Sequence, residues 1–322
     1  MGPVRTSKLL LATLICLASL SASAQVNDTY VVAAAANLGG ANNTRWLTQL
    51  SLFNPQLDYP LTISVTFLPS GGTTGVEKLI DLPANSTFLT DNVLGDVFGR
   101  TGSGAILLAT FAEDNPGVPN DILSRSFLVT SQTFNNSASG TYGQTIPGIW
   151  TGLLDYDYDG ISSVSHGIDN SSRLKYRTNV GAVNLGRCNV TIRVNVYNAD
   201  GDKILNQAPF GVPPMGHMQQ LLPVQVEGGS IEFFVEDPCW NDDQLFAVVF
   251  PYTSTIDDLS GDPKYQSPTL LASPGVLYGK KGGDMSQLGK KIDSSYARKV
   301  RDKVQHLGKV NLKHTQRGWT VE

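Results

Sequence analysis

Apolar and polar residues alternate with a period of two through much of the chain between residues 30 and 270. Ile63, Val65 and Phe67 alternate with Ser64 and Thr66, as Ile192, Val194 and Val196 do with Arg193 and Asn195. β-Branched side chains on that period predict sheets with one buried and one wet face. Residues 104–111, 122–130, 229–236 and 245–250 read as further strands. Turn clusters separate them: Pro69-Ser70-Gly71-Gly72, Asp114-Asn115-Pro116-Gly117 and Asn198-Ala199-Asp200-Gly201-Asp202. Helical spacing is confined, within this body, to a single turn around 92–98. The expected fold class is all-β, with antiparallel sandwiches.

The pattern also repeats, at an offset near 130 residues. Trp46-Leu47-Thr48-Gln49-Leu50-Ser51-Leu52-Phe53-Asn54 aligns with Tyr176-Arg177-Thr178-Asn179-Val180-Gly181-Ala182-Val183-Asn184. Thr62-Ile63-Ser64-Val65-Thr66-Phe67 aligns with Thr191-Ile192-Arg193-Val194-Asn195-Val196, and Leu82-Pro83 with Val212-Pro213. Gly104-Ala105-Ile106-Leu107-Leu108 aligns with Gly229-Ser230-Ile231-Glu232-Phe233, Ser139-Gly140 with Ser260-Gly261, and Pro147 with Pro268. Two tandem sandwiches are therefore expected, over 25–148 and 149–278, with an acidic linker at 153–172.

Residues 1–24 break this pattern. Arg5 and Lys8 precede an apolar run over 9–20, then Ala22-Ser23-Ala24 before Gln25. That order predicts a secretory signal peptide cut after Ala24. The run is shorter than the ~20 residues that span a bilayer, and Cys16 lacks the small preceding residue of a lipid-attachment site. Export to the periplasm, cell surface or medium follows. Cys188 and Cys239 are then the two remaining thiols. In an oxidising compartment they read as one disulfide, which stabilises by about 4 kcal/mol on a chain-entropy estimate.

Charge divides the chain again. Residues 25–278 hold 11 basic against 24 acidic residues, while 279–322 hold 11 basic against 4 acidic. The acidic body excludes nucleic acid as its expected partner. In the basic segment Ile292, Tyr296, Val300, Val304 and Leu307 keep helical spacing. A short basic amphipathic helix over 292–307 is one reading, suited to anionic lipid or polysaccharide or to capping a sandwich edge. The simpler reading is a disordered cationic extension.

Several stretches resemble a family of exported bacterial proteins. They are Val31-Val32-Ala33-Ala34-Ala35-Ala36, Trp46 to Pro55, and Gly140-Thr141-Tyr142-Gly143-Gln144-Thr145-Ile146-Pro147. In the second copy they are Arg177 to Asn184 and Ser260-Gly261-Asp262-Pro263. The resemblance spans about 30–275 and implies tandem Ig-like β-sandwich modules in envelope or secreted proteins. It carries over no activity and no site residue.

Candidate chemistry is sparse. Asp155, Asp157 and Asp159 with Gly160 match the start of a calcium loop, whose alternate carboxylates converge on a hard cation. His166 stands where the closing glutamate belongs, and Asp169 lies three residues on. The plainer reading is an acidic linker with exposed Tyr156 and Tyr158. No G-x-S-x-G and no paired-histidine motif occurs. His217 is expected at a surface strand position, and Glu232 and Glu236 on a solvated strand face. Trp46, Trp150 and Trp240 offer rings for stacking on sugars, against which stands ordinary packing, with Trp240 on the disulfide. Asn27, Asn42, Asn85, Asn135, Asn170 and Asn189 begin N-x-S/T sequons, which are glycan acceptors only in a eukaryotic secretory route.

The sequence thus predicts an exported, non-enzymatic structural or adhesion-type protein, with no catalytic residue and no assignable ligand-binding residue. A cell-surface glycan or envelope protein is the expected partner class. A calcium-assisted carbohydrate-binding module is the alternative, and a secreted hydrolase a third.

Overall fold

A computed structural model describes residues 28–40, 44–72, 74–137, 140–150, 162–236, 249–271, 301 and 304–322. The first copy runs β1 (Thr29–Gly39), β2 (Arg45–Asn54), β3 (Leu61–Pro69), β4 (Val76–Leu82) and β5 (Ser86–Thr90). It continues through α1 (Val93–Asp96), β6 (Gly102–Ala109), β7 (Leu128–Ser137), β8 (Gly140–Thr145) and β9 (Gly148–Trp150). The second holds β10 (Ser162–Asn170), β11 (Tyr176–Asn184), β12 (Val190–Tyr197), β13 (Lys203–Val212) and β14 (Gly216–Leu221). After these come β15 (Val226–Glu236), β16 (Val249–Asp257), β17 (Pro263–Gln266) and β18 (Thr269–Leu271). Three short strands follow: β19 (Gln305–Lys309), β20 (Leu312–Thr315) and β21 (Gly318–Val321).

Strand pairing is the same in both copies. The first pairs in the orders β4-β3-β6-β1-β9 and β5-β2-β7-β8; the second pairs as β13-β12-β15-β10-β18 and β14-β11-β16-β17. All of these pairings are antiparallel. A bulge between Val32 and Ala35 redirects β1, whose last residues Asn37 to Gly39 pair with β2. That crossing joins the first copy into one curled sheet, whereas the second keeps two smaller sheets.

Local chemistry is duplicated too. Asn54 Nδ2 donates to the carbonyls of Tyr59, Leu82 and Pro83, and its counterpart Asn184 to those of Cys188, Val212 and Pro213. Each therefore ties the end of one strand to the turn between β4 and β5, or between β13 and β14. Thr48 and Thr133 hydroxyls meet at 2.8 Å, as Thr178 and Thr255 do at 2.7 Å. Buried polar groups satisfied this way fix strand register.

The two faces of the first copy's larger sheet explain its composition. Val32, Val65, Ile106 and Leu108 point into that copy's own core. Val31, Ala33, Leu68, Ala105 and Leu107 point the other way, against Val183, Leu185, Met215, Phe250 and Tyr252 of the second copy. A sheet covered on both faces reads as a continuous apolar run rather than an alternation. The second copy has its own core around Ile192, Val194, Ile231 and Phe233.

Several expectations need correction. The strand expected at 122–130 starts only at Leu128. Before it the chain turns at Asp121, whose carboxylate accepts from Ser124 N and Oγ, leaving Leu123 exposed. The linker expected at 153–172 is strand from Ser162 to Asn170. The first copy extends past 148, because Ile149 and Trp150 pair with Val31 and Tyr30. The expected single turn is α1, capped by Asn92 Oδ1 accepting from Gly95 N.

The largest correction concerns the basic segment. Residues 305–307, the last turn of the expected helix, lie in a strand, and 304–322 is packed rather than a free extension. β19 adds in parallel to the edge strand β4, and β21 meets the edge strand β5 at Trp319 and Phe88. Leu307, Val310, Leu312, Trp319 and Val321 sit half-buried on the first core. The rest of 279–322, apart from Arg301, lies outside the described residues.

Candidate functional site at the inter-repeat seam

The seam between the copies begins as an apolar contact and ends as a polar one. Gly181 in β11 faces Tyr252 in β16; a Cβ there would lie 2.3 Å from the phenol ring. The missing side chain lets the Tyr252 ring lie flat in the seam, stacked at 5.9 Å on His217 and at 5.4 Å on Tyr265. Tyr252 Oη donates to Gln219 Oε1 at 2.8 Å, so at 2.7 Å it accepts from His217 Nε2. That assigns the His217 proton to Nε2. Nδ1 is buried without a hydrogen-bond partner.

His217 is thus buried, at 1% exposure, rather than on the surface. Its carbonyl accepts from Gly71 N of the first copy at 2.8 Å. Burial lowers its pKa to about 3, and raises that of Tyr252 well above the usual phenol value. Both groups stay neutral across the physiological range, so the pair is a fixed relay of hydrogen bonds. A general base needs a pKa near the working pH and a reachable substrate, and His217 has neither.

Toward solvent the seam opens into a cleft of about 250 Å³. One wall is Ala34, Ala36 and Trp46 with the adjoining Gly39 and Gly40. The other holds Arg177, Asn179, Gln219 and Ser254 of the second copy. Gln144 of β8 bridges the two, donating to Ser254 Oγ at 3.3 Å. Asn135 Nδ2 crosses as well, to the Gly261 carbonyl at 2.9 Å. Arg177 pairs with Asp258, so its charge is balanced. The cleft thus sets neutral amides and hydroxyls against an apolar wall of alanines, Leu38, Ile256 and one indole, and offers a free anion no uncompensated positive charge.

Trp46 is buried at the back of this cleft, packed on Ala36 and Ile256. It does not offer an open stacking face, and Trp150 ends β9. Glu236 is exposed beside Arg193, while Glu232 is half-buried and accepts from Asn195 Nδ2 and Tyr197 Oη. Asp169 Oδ1 accepts from Gly228 N.

Asp155, Asp157, Asp159, Tyr156, Tyr158, Cys239 and Trp240 lie outside the described residues. The pairing of Cys188 with Cys239 stays an expectation. Among the described residues, no three His, Cys, Asp or Glu side chains gather as metal ligands. No helix there is long and apolar enough to cross a membrane. Asn135 and Asn170 are buried and hydrogen-bonded within the fold, which removes both as glycan acceptors. No family model matches the chain, and no curated protein matches it.

Proposed function

We propose that this chain is an exported, non-enzymatic β-sandwich protein of structural or adhesion type, acting at the envelope or outside the cell. In this reading residues 1–24 direct export and the two copies are Ig-like modules. A Cys188–Cys239 bridge stiffens the second. The observation that supports it best is the seam. Val31, Ala33, Leu107, Val183, Phe250 and Tyr252 are buried between the copies, so the pair moves as one body and can hold its ends at a fixed spacing. Sandwich proteins commonly carry binding on loops held by such a frame. The test is expression of the full chain in a Gram-negative host, followed by fractionation and N-terminal sequencing. A mature protein beginning at Gln25 in the periplasm, surface or medium supports the reading; an uncleaved cytoplasmic chain contradicts it.

A second reading, a carbohydrate-binding module with or without calcium at Asp155, Asp157 and Asp159, draws on the cleft. Asn179, Gln219 and Ser254 facing Trp46 would hold a sugar ring at its hydroxyls. Titration of neutral oligosaccharides, read by Trp fluorescence with and without calcium, tests it. Saturable quenching lost in Asn179→Ala favours this reading; a flat response across the panel removes it.

A further inference from the structure

The basic segment is held on the first copy as a ligand is held, rather than as part of the sandwich. Both of its strand contacts are parallel, against the wholly antiparallel pairing of the copies themselves. They are brief: three residue pairs between β19 and β4, and one between β21 and β5. The second copy completes the same nine-strand order, and among the described residues no strand lies on its corresponding edges, β13 and β14. The sandwich therefore does not need this segment in order to close.

Charge adds to the apolar packing of Leu307, Val310, Leu312, Trp319 and Val321 in holding the segment. Glu77 is 2% exposed; its Oε1 takes Arg301 Nε at 2.9 Å and Ser64 Oγ at 2.5 Å, and its Oε2 meets His306 Nδ1. Arg301 also pairs with Asp114 and lies 4.9 Å over the Phe111 ring. Lys309 Nζ stands 2.7 Å from Asp81, and Arg317 3.8 Å from Asp91. The carboxylates are specific to this copy. Through the strand registers, Glu77, Asp81 and Asp91 correspond to Gln207, Gly211 and Leu221 in the second. The groove thus selects a basic strand-forming segment and selects the first copy to receive it.

We infer that the edges β4 and β5, with the carboxylates of Glu77, Asp81 and Asp91, form a docking surface for Arg301 and residues 304–322 of a second copy of this chain. Exchange of an identical segment loses no contact and costs little beyond association, which is why such swaps are a common route to assembly. Release in one chain leaves Phe88 and Val76 uncovered, and the matching segment of a neighbour restores the same burial and the same ion pairs. The inference is independent of whether the inter-repeat cleft binds anything.

The test uses the signal-free chain from residue 25 in two single variants, Asp81→Cys and Lys309→Cys, at an exposed ion pair. A short bismaleimide is added to each alone, to their equal mixture, and to the double variant. The double variant should cross-link within one chain, which checks the docked position. Exchange predicts at least tenfold more covalent dimer in the mixture than in either single variant. That dimer should rise with protein concentration and fall when excess synthetic 301–322 peptide is present. Dimer no greater than in the single variants, with the double variant linked in cis, means the segment is fixed in its own chain and overturns the inference. Failure of the double variant to link overturns it too, by removing the docked position.

Discussion

Strand β6 of the first copy reads Gly104-Ala105-Ile106-Leu107-Leu108, and its counterpart β15 reads Gly229-Ser230-Ile231-Glu232-Phe233. The two strands hold the same place in the same sheet order, between β3 and β1 or between β12 and β10. Yet Ala105 and Leu107 face the second copy across the seam, while Ser230 and Glu232 lie on the face of β15 away from its own core. One backbone plan thus carries two surface chemistries, set by what covers the outer face. The edges differ in parallel fashion. The first copy carries Glu77 and Asp81 on β4 and Asp91 just after β5, and 304–322 covers these edges; the second copy is uncharged at the matching positions and leaves Leu221 56% exposed. Duplication kept the fold, and the divergence lies where the copies meet each other and where the basic segment docks.

The strongest way to break this comparison is at the seam. Leu107→Ala removes a side chain covered by the other copy and should cost about 3–4 kcal/mol, as core truncations do. Glu232→Ala at the matching site loses two hydrogen bonds from Asn195 and Tyr197 but no core packing, and should cost less, about 1–2 kcal/mol. Urea unfolding of both variants checks the pair, and equal losses would mean the seam contributes no more than an open face.

His217 gives the next effect. Its folded pKa is about 3 against 6.5 for the unfolded side chain, so the folded state excludes a proton that the unfolded state binds. The stability present above pH 6.5 is lost as pH falls toward 3. Between pH 7 and pH 4 the effect is on the order of 3 kcal/mol at about 1.4 kcal/mol per unit. His217→Gln should flatten that part of the pH profile, measured as the difference in urea midpoint between the two pH values. Thr87, its counterpart in the first copy, carries no titrating group, so Thr87→Ala should leave the profile unchanged in shape.

At the edge, Glu77→Gln strips Arg301 and His306 of a buried carboxylate and should destabilise by about 2 kcal/mol, Asp114 retaining part of the Arg301 interaction. Gln207→Glu on the second copy should change stability by less than about 0.5 kcal/mol. Gly318→Ala should cost about 1 kcal/mol or more, less than Glu77→Gln. Gly318 has φ +117°, and an added Cβ would lie 2.8 Å from the Thr87 carbonyl. Its signature should be faster amide exchange in β5 without a change in β14.

Much of the frame was legible. Ile63, Val65 and Phe67 alternate because one face of β3 is core, and Asn54 and Asn184 align because both pin the same loop. The seam was harder. The apolar run at 105–108 and the Val31-Val32-Ala33 stretch carry the signal of a doubly covered sheet, but the partner is 75 or more residues away in sequence. His217 follows Pro213-Pro214-Met215-Gly216, which looks like a surface turn, but its ring is buried against Tyr252 of β16 where the Ser70–Gly71 turn of the first copy meets it. The cleft has no local motif, since Trp46, Gln144, Arg177, Asn179 and Ser254 come from four strands. In the basic segment the helical spacing of 292–307 masked a second pattern. Val310 with Leu312 and Trp319 with Val321 keep a period of two, and the acidic body was the natural place for those lysines and arginines to dock.

The most direct test of this account is amide hydrogen exchange followed by mass spectrometry on residues 25–322 at neutral pH. It rests on the claim that one sandwich plan is used twice and that the basic segment covers the edges of the first copy alone. Gln305 N donates to the Gly75 carbonyl and Val310 N to that of Leu79. Peptides covering 304–322 and 76–90 should therefore exchange at least about a hundredfold more slowly than an unstructured chain, and both should speed up together in Glu77→Gln. The outer edge of β13 should stay fast in either protein. Exchange of 304–322 at unstructured rates, or equal protection of β4 and β13, would contradict the account.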